Sequence, residues 1–269
     1  MADFAANIGG KYQTFGELAG GSAVSILPTT SRGGWVSVGT TSFAAQMLMF
    51  NVVSNTAAGR ISLDIGIGGA GAEVVLVSDI IAHFPRADQA GITAVFPIAI
   101  ASGSVISVRG ATSGGTAPAV GVTVMVGTFG LMGNQSFGKC STFGVSNNSA
   151  FGTVIDPGAL ANVKGLWVSM GTTSGPIRQI VLAWGNRGNT AMEAGMWFFD
   201  LGIGPLLSEI VIIPDMPQRA GTTSDVTSVA FSGPYPVDFA SGTIINMRCQ
   251  STITDATDRL LECVVYGFK

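Results

Sequence analysis

Short apolar runs separated by small polar residues follow one another along the whole chain. They are rich in β-branched residues and are bounded by Gly, Ser, Thr, Asn or Pro, a pattern typical of β-strands. Clear examples are 35–38, 61–67, 74–77, 105–108 and 122–126. No capped helical period stands out, and the nearest approach, 42–51, is equally a strand rich in Ala and Met. Turn signals about every 8 to 12 residues predict β-sandwiches rather than parallel sheets with crossover helices.

The pattern of the first half returns in the second. The segment 35–41, WVSVGTT, reappears as 167–173, WVSMGTT, and the hairpin segment 63–68, LDIGIG, reappears as FDLGIG. Later blocks agree in the same order, which indicates an internal duplication. The sequence therefore predicts an all-β chain of two tandem, duplicated, jelly-roll-like β-sandwich domains.

The domain limits follow from the repeat and from turn composition. They are an N-terminal arm at 1–13, a first sandwich at 14–133, a linker at 134–148 and a second sandwich at 149–269. The arm has no counterpart in the second copy and is expected to order on a partner. A chain of 269 residues gives each domain about 130 residues, enough for a core of its own.

Composition narrows the classes of partner. Only 11% of the residues are charged, against about 25% in typical soluble domains, so neutral surface is expected to meet other proteins. The 13 Lys and Arg residues are scattered and the net charge is −3, which argues against nucleic-acid binding. No apolar run approaches the roughly 20 residues that span a bilayer, and no signal peptide is evident. We expect synthesis in a host cytoplasm and no membrane partner.

Few residues offer cofactor or metal chemistry. Cys140, Cys249 and Cys263 have no CxxC spacing and are expected to be free thiols, with the last two as cross-strand neighbours. His83 is the single histidine and is expected in a loop. The glycines of 66–71 match GxGxxG, but a strand follows them, so a hairpin turn explains them better than a nucleotide site. We predict no cofactor.

Paired carboxylates are the strongest candidate chemistry. A hairpin centred on Gly68 and Gly69 would set Asp64 opposite Glu73, and the same pair recurs in the second copy with its own arginine. The matched residues are Asp64, Glu73 and Arg109 in the first copy and Asp200, Glu209 and Arg248 in the second. Neutralisation by the arginine is the favoured interpretation, because opposed like charges are unfavourable. A bound hard cation such as calcium and glycoside hydrolysis are the alternatives.

Four tryptophans divide into two kinds. Trp35 and Trp167 recur at equivalent positions and are predicted to anchor the two cores. Trp184 and Trp197 belong to the second copy only, among methionines and phenylalanines. They are candidates for an apolar protein contact or for stacking on a glycan.

Each copy has an Asp-x-Gly-x-Gly hairpin, where x is apolar, followed by Glu and a Val/Ile run, and then by Ala-Ser-Gly and an Ile/Val strand ending in Arg. This pattern resembles segments of virion structural proteins of tailed bacteriophages. The resemblance covers most of both halves and leaves open a capsid decoration, neck or collar, tail or fibre position. It implies a β-rich, weakly charged protein mounted in many symmetric copies. Heptads and collagen-like repeats are absent, so a long fibrous shaft is not expected.

The favoured hypothesis is therefore a non-enzymatic structural component of a virion, whose partners are other copies of itself and other virion proteins. The alternative is a receptor- or glycan-binding module that meets a host-surface glycan. A carboxylate-based glycoside hydrolase comes last.

Overall fold

The computed structural model describes twelve stretches of the chain, and the fold is built from these. They are residues 10–16, 21–24, 26–27, 31–55, 59–84, 92–112, 119–128, 137–145, 152–186, 195–220, 229–254 and 260–269. Within them the regular elements are nineteen β-strands, with no helix. The same stretches contain no helix long and apolar enough to cross a membrane. The all-β prediction is confirmed.

Ten strands form the first half. They are β1 (Tyr12–Phe15), β2 (Ser22–Val24), β3 (Ile26–Leu27), β4 (Val36–Thr40), β5 (Met47–Asn55), β6 (Gly59–Ile67), β7 (Val74–Phe84), β8 (Ile92–Phe96), β9 (Val105–Thr112) and β10 (Val120–Gly127). Sheet I has the order β1-β10-β5-β8, with β2 also on β10, and sheet II has the order β3-β9-β6-β7, with β4 also on β9. The β3–β9 pairing is parallel.

Nine strands form the second half. They are β11 (Cys140–Phe143), β12 (Thr153–Ile155), β13 (Val168–Thr172), β14 (Ile177–Asn186), β15 (Gly195–Ile203), β16 (Ile210–Ala220), β17 (Ala230–Phe239), β18 (Ile244–Ser251) and β19 (Leu261–Phe268). Sheet III has the order β11-β19-β14-β17, with β12 also on β19, and sheet IV has the order β13-β18-β15-β16. Sheets III and IV therefore repeat sheets I and II, which confirms the two duplicated sandwiches.

Alternation along each strand explains which side chains reach the core. In β6, Ile61, Leu63 and Ile65 are fully buried, whereas Asp64 lies between them on the opposite face of sheet II. The same period places Phe199 and Leu201 in the second core with Asp200 facing outward. The outward faces of sheets II and IV thus carry Asp64 and Asp200, respectively.

The central strands of sheet III, β14 and β19, are buried on both faces, which joins the two halves. One face packs inside the second sandwich, and the other contributes Val181, Val264, Tyr266 and Phe268 to the core of the first half. That second face rests on β7 and β8 at the open side of the first sandwich. The near-continuous apolar sequence of β19 follows from this double burial.

Two of the predicted domain limits need correction. Residues 140–143, placed in the linker, form β11 and pair with β19, because the segment that matches β1 is a strand in both copies. Tyr12 and Gln13, placed in the arm, belong to β1. Residues 1–9 of the arm lie outside the described residues.

Candidate functional site

Asp64 is the centre of a charged cluster on the outward face of sheet II. Arg109 stands directly across from it on β9, and its Nε lies 2.9 Å from Asp64 Oδ2. Arg32, from the segment before β4, approaches the same oxygen at 3.2 Å and also contacts Asp79. Arg32 further donates to the backbone oxygen of Ser62 at 2.8 Å. Two guanidinium groups therefore hold one buried carboxylate.

A bulge in β7 brings Asp79 to this cluster. The β6–β7 register shifts between Leu63 and Ile65, and Asp79 there has a φ of 57°. Asp tolerates this left-handed conformation better than most residues. The Asp79 backbone N–H, turned away from the ladder, donates to Asp64 Oδ1 at 3.0 Å. The Asp64 carboxylate thus stabilises the bulge.

The second half repeats the arrangement around Asp200. Arg248 Nε lies 2.9 Å from Asp200 Oδ2, and the Asp215 N–H donates to Oδ1 at 3.0 Å from a φ of 50°. Lys164 takes the place of Arg32, with its Nζ 2.7 Å from Asp200 Oδ1 and 2.6 Å from Asp215 Oδ1. The cluster is a duplicated structural feature with one substituted cation.

The environment shifts two of these carboxyl groups in opposite directions. Burial raises the pKa of Asp79, an effect that the Arg32 charge opposes and the Asp64 charge reinforces. Burial also tends to raise the pKa of Asp200, but hydrogen bonds from Lys164, the Asp215 N–H and Arg248 outweigh it and lower that pKa below its usual value. Asp200 is therefore an ionised anchor for its cations.

Beside each cluster, the arginine lies over a tryptophan ring, and that ring packs against a glycine. The Arg109 guanidinium carbon lies 4.3 Å from the Trp35 ring centre, and Arg248 lies 4.4 Å from that of Trp167. A Cβ at Gly66 would come within 2.8 Å of the Trp35 ring, so only glycine admits the indole there. The prediction that Trp35 and Trp167 anchor the cores is wrong, because both are half-buried on the outward faces under arginine.

The predicted pairing of Asp64 with Glu73 is wrong, as is that of Asp200 with Glu209. Glu73 precedes β7 and accepts the N–H of Gly71 at 2.9 Å, and Glu209 Oε1 accepts that of Leu207 at 3.1 Å. The bulge and the β6–β7 register place Asp79, not Glu73, beside Asp64. The described residues contain no group of three or more acidic, His or Cys side chains arranged to hold a metal ion.

Sequence reasoning missed the cations Arg32 and Lys164 and the acids Asp79 and Asp215. A signal existed for the acids, since each interrupts an apolar strand fifteen residues after the matched Asp64 or Asp200. The cations come from irregular segments whose path only the folded chain reveals.

The candidate ligand aromatics lie in the second core. Trp184 and Trp197 are 2% and 0% exposed. Trp184 stacks on Phe199 at 5.3 Å between ring centres, and its Nε1 donates to Gln218 at 2.7 Å. Neither indole offers a face to a ligand at the surface, so their prediction as interface or glycan-stacking residues is wrong.

The cysteines and the histidine also differ in part from expectation. None of the three cysteines forms a disulfide bond, and burial raises the pKa of Cys263. Cys249 lies on β18 of sheet IV and Cys263 on β19 of sheet III, so they belong to different sheets rather than to neighbouring strands. His83 lies in β7, paired with Arg60, rather than in a loop.

The outward face of sheet I is the second candidate site. The strands β1, β2, β5, β8 and β10 contain no Asp, Glu, Lys or Arg. Its inward residues, such as Phe50 and Val124, are fully buried, and alternation leaves their neighbours facing outward. The outward residues include Tyr12, Thr14, Met49, Thr93, Val95 and Met125, which are half-buried or exposed.

No family model matches the chain. No curated protein matches it either. Among solved structures it is similar to PNGase F, a glycosylasparaginase from Flavobacterium meningosepticum, at 9% identity and a TM-score of 0.42, over 97% of this chain and 96% of that one.

Particles of viruses are also among the similar structures. Cowpea mosaic virus top component, described as naturally occurring empty particles, matches at 10% identity and a TM-score of 0.37, over 97% of this chain and 88% of that one. The tandem CBM22 domains of Paenibacillus barcinonensis Xyn10C match at 9% identity and a TM-score of 0.26, over 97% and 92%. All three TM-scores are below 0.5, so these likenesses assign neither an activity nor a partner.

Proposed function

We propose that this chain is a structural component of a virus particle, assembled in multiple copies through neutral β-sandwich surfaces. The observation that carries the proposal is the outward face of sheet I, whose five strands have no charged residue. Surfaces that face only water usually carry charges, whereas the central parts of protein interfaces are depleted of them. A continuous face of this kind fits burial against protein.

The buried counterpart of that face supports the same conclusion. Sheet III occupies the equivalent place in the second half, and its corresponding face is covered by the first half. The fold thus already uses the outward face at this position as a contact between two sandwiches, in a sheet whose strands contain only Arg178, Asp238 and Glu262 as charged residues.

The finer part of the proposal concerns the kind of particle. The duplicated hairpins around Asp64 and Asp200, with the strands that contain Arg109 and Arg248, are the segments that resemble tailed-bacteriophage virion proteins. We propose a virion location, as a decoration, neck or collar, tail or fibre accessory protein.

We also propose that the chain has no enzymatic role and that the matched acids Asp64 and Asp200 stabilise the fold. Asp64 and Asp200 are 4% exposed at the side chain and each is held by two cations. Such a carboxylate is poorly placed to exchange a proton with a substrate. Burial of Trp184 and Trp197 removes the side chains on which the glycan-binding alternative depended.

Fractionation of particles tests the proposal. Viral particles from cells that express the gene would be banded on a density gradient, and an antibody against the chain would locate it. We expect the chain in the particle band, in a fixed ratio to the major particle protein after high-salt washing. Recovery of the chain only in the particle-free fractions would overturn the virion proposal. A glycan array with the same purified chain, if positive, would instead favour the binding-module alternative.

The N-terminal arm has a separate test. A truncation should end before Lys11, because Gln13 is part of β1 and its Oε1 accepts the N–H of Ser42 at 2.8 Å. We expect removal of residues 1–9 to reduce incorporation into particles while leaving thermal unfolding unchanged. Equal incorporation of the truncated and complete chains would show that the segment is not a docking arm.

A further inference from the structure

The open side of the first sandwich is covered, whereas the equivalent side of the second is not. In the first half, Leu76 is 7% exposed and Ile81 is fully buried where β7 meets sheet III. The matched residues of β16 are Ile212, which is 38% exposed, and Pro217, which is exposed. The β16 side of the second sandwich is therefore an exposed, largely apolar surface that also carries Asp215 and Arg219, and no second sheet covers it among the described residues of the chain.

Three hydrogen bonds from two side chains of sheet III fix the covered side. The Tyr266 hydroxyl donates to the backbone oxygen of Asp79 at 2.9 Å and accepts the N–H of Ile81 at 3.3 Å. Thr142 donates to the backbone oxygen of Ser78 at 3.0 Å. Sheet III thus recognises the bulge of β7 with one tyrosine and one threonine.

The register of the repeat identifies the counterparts of these residues on the two uncovered surfaces. On sheet I, Thr14 of β1 lies opposite Met125 of β10, just as Thr142 of β11 lies opposite Tyr266 of β19 on sheet III. Thr14 therefore matches Thr142, and Met125 matches Tyr266. On β16, the bulge residue Asp215 matches Asp79. Pro214 and Pro217 then match Ser78 and Ile81.

The substitutions on the two uncovered surfaces are complementary. Pro217 has no N–H where Ile81 donates one, and Met125 has no hydroxyl where Tyr266 accepts it. The N–H and the hydroxyl that accepts it have both disappeared, so this part of the contact would be apolar, whereas the backbone oxygen of Asp215, which matches that of Asp79, would lack the tyrosine donor. Thr14 keeps a hydroxyl, and Pro214 keeps the backbone oxygen that it would reach.

The prolines also restrict how a partner can bind. β16 is the edge strand of sheet IV, and proline on an edge strand prevents the addition of another hydrogen-bonded strand. The face of a sheet can still pack across the β16 edge, in the way that sheet III packs across β7. The occupant is therefore expected to present a face and not a strand.

We propose that the β16 side of one copy binds the uncharged outward face of sheet I of a second copy, in the arrangement that joins the two halves within one chain. The contact joins different surfaces of the two copies, so it propagates head to tail into a ring or an open array. This inference rests on the proposed assembly of the chain in multiple copies and names the surfaces that it uses.

Two lysine variants of the full chain test the contact. Met125→Lys places a charge on sheet I, and Pro217→Lys places one on the β16 side, so each blocks one of the two surfaces. By light scattering coupled to size exclusion, we expect the unmodified chain to form assemblies and each variant to be a monomer, with association at least tenfold weaker. Mixed in equal amounts, the two variants should form a dimer and nothing larger. The dimer joins the intact β16 side of one variant to the intact sheet I of the other.

Matched controls keep the outcome interpretable. Leu160→Lys changes a residue that is 65% exposed outside both surfaces and should assemble like the unmodified chain. If circular dichroism shows either test variant unfolded, Met49→Lys and Pro214→Lys replace it on the same surfaces. A monomeric unmodified chain at all concentrations, or single variants that still assemble, or a mixture that stays monomeric, would overturn the inference.

Failure here differs from failure of the proposed function. A chain that bands with particles but does not associate with itself refutes only the contact between copies. A chain that assembles head to tail but is absent from particles refutes only the virion location.

Discussion

The two charged clusters have the same arrangement of residues but differ in the exposure of their bulge aspartates. Both have a buried aspartate held by an arginine that lies on a tryptophan, and both have a bulge aspartate with positive φ. The Asp79 side chain is 24% exposed, however, whereas that of Asp215 is 62% exposed. The cause is sheet III, which covers the β7 side of the first half and has no equivalent over β16.

This difference shows that the hairpin sequence fixes the cluster and that the neighbouring sandwich fixes its environment. The shared geometry arises from residues at matched positions in both copies. The raised pKa of Asp79, by contrast, arises chiefly from burial, part of which the second half supplies.

Removal of the central aspartates should have the largest effect and should be similar in the two halves. Asp64→Ala and Asp200→Ala each leave two cations without their shared carboxylate, and we expect a loss of about 3 kcal/mol in the free energy of unfolding. Denaturant unfolding measures it. Asp238→Ala is the control, because the Arg178–Asp238 pair is exposed and should contribute less than about 1 kcal/mol. Equal losses in test and control would contradict a structural role for the clusters.

Tyr266→Phe should affect only the covered side. It leaves the Ile81 N–H and the Asp79 oxygen without their buried partner, for which we expect a loss of about 2 kcal/mol. Tyr235→Phe is a matched change in a half-buried tyrosine that contacts Ser232, and should cost less than about 0.5 kcal/mol. A Tyr266→Phe variant as stable as the unmodified chain would show that its hydroxyl does not join the two halves.

Lys164→Met should lower stability by about 1 kcal/mol near neutral pH, and the loss should fade in acid. Asp200 has a lowered pKa in the folded chain, so its contribution is present above its ordinary value of 3.8 and is lost as the pH falls through the folded value. Unfolding curves of both chains from neutral pH to below 3.8 measure the difference. A loss that is constant over this range would show that the contribution of Lys164 to stability does not depend on the ionisation of Asp200.

Glu73→Gln and Glu209→Gln should have the smallest effect. Each glutamate accepts one N–H in an exposed turn, and glutamine can still accept it, so we expect changes within about 0.5 kcal/mol. Thermal unfolding of the two variants beside Asp64→Ala measures the contrast. A loss of stability as large as that of Asp64→Ala would show that these glutamates do contribute to the charged clusters.

The sequence predicted much of the fold because its main signals are local or repeated. Alternating β-branched runs gave the strands, and the matched blocks around Trp35 and Trp167 gave the two sandwiches. The Asp64–Arg109 neighbours were foreseen because both recur in the repeat, while Asp79 was missed because a single-residue bulge changes the register of β7.

What the sequence determined by itself is the duplicated all-β framework and the low share of charged residues, since both depend on residue type and period. The tertiary structure alone decided that Arg32 and Lys164 join the clusters and that Trp184 and Trp197 are buried. It also decided that sheet III lies between two cores. These outcomes depend on contacts between segments far apart in the chain, which a local pattern does not encode.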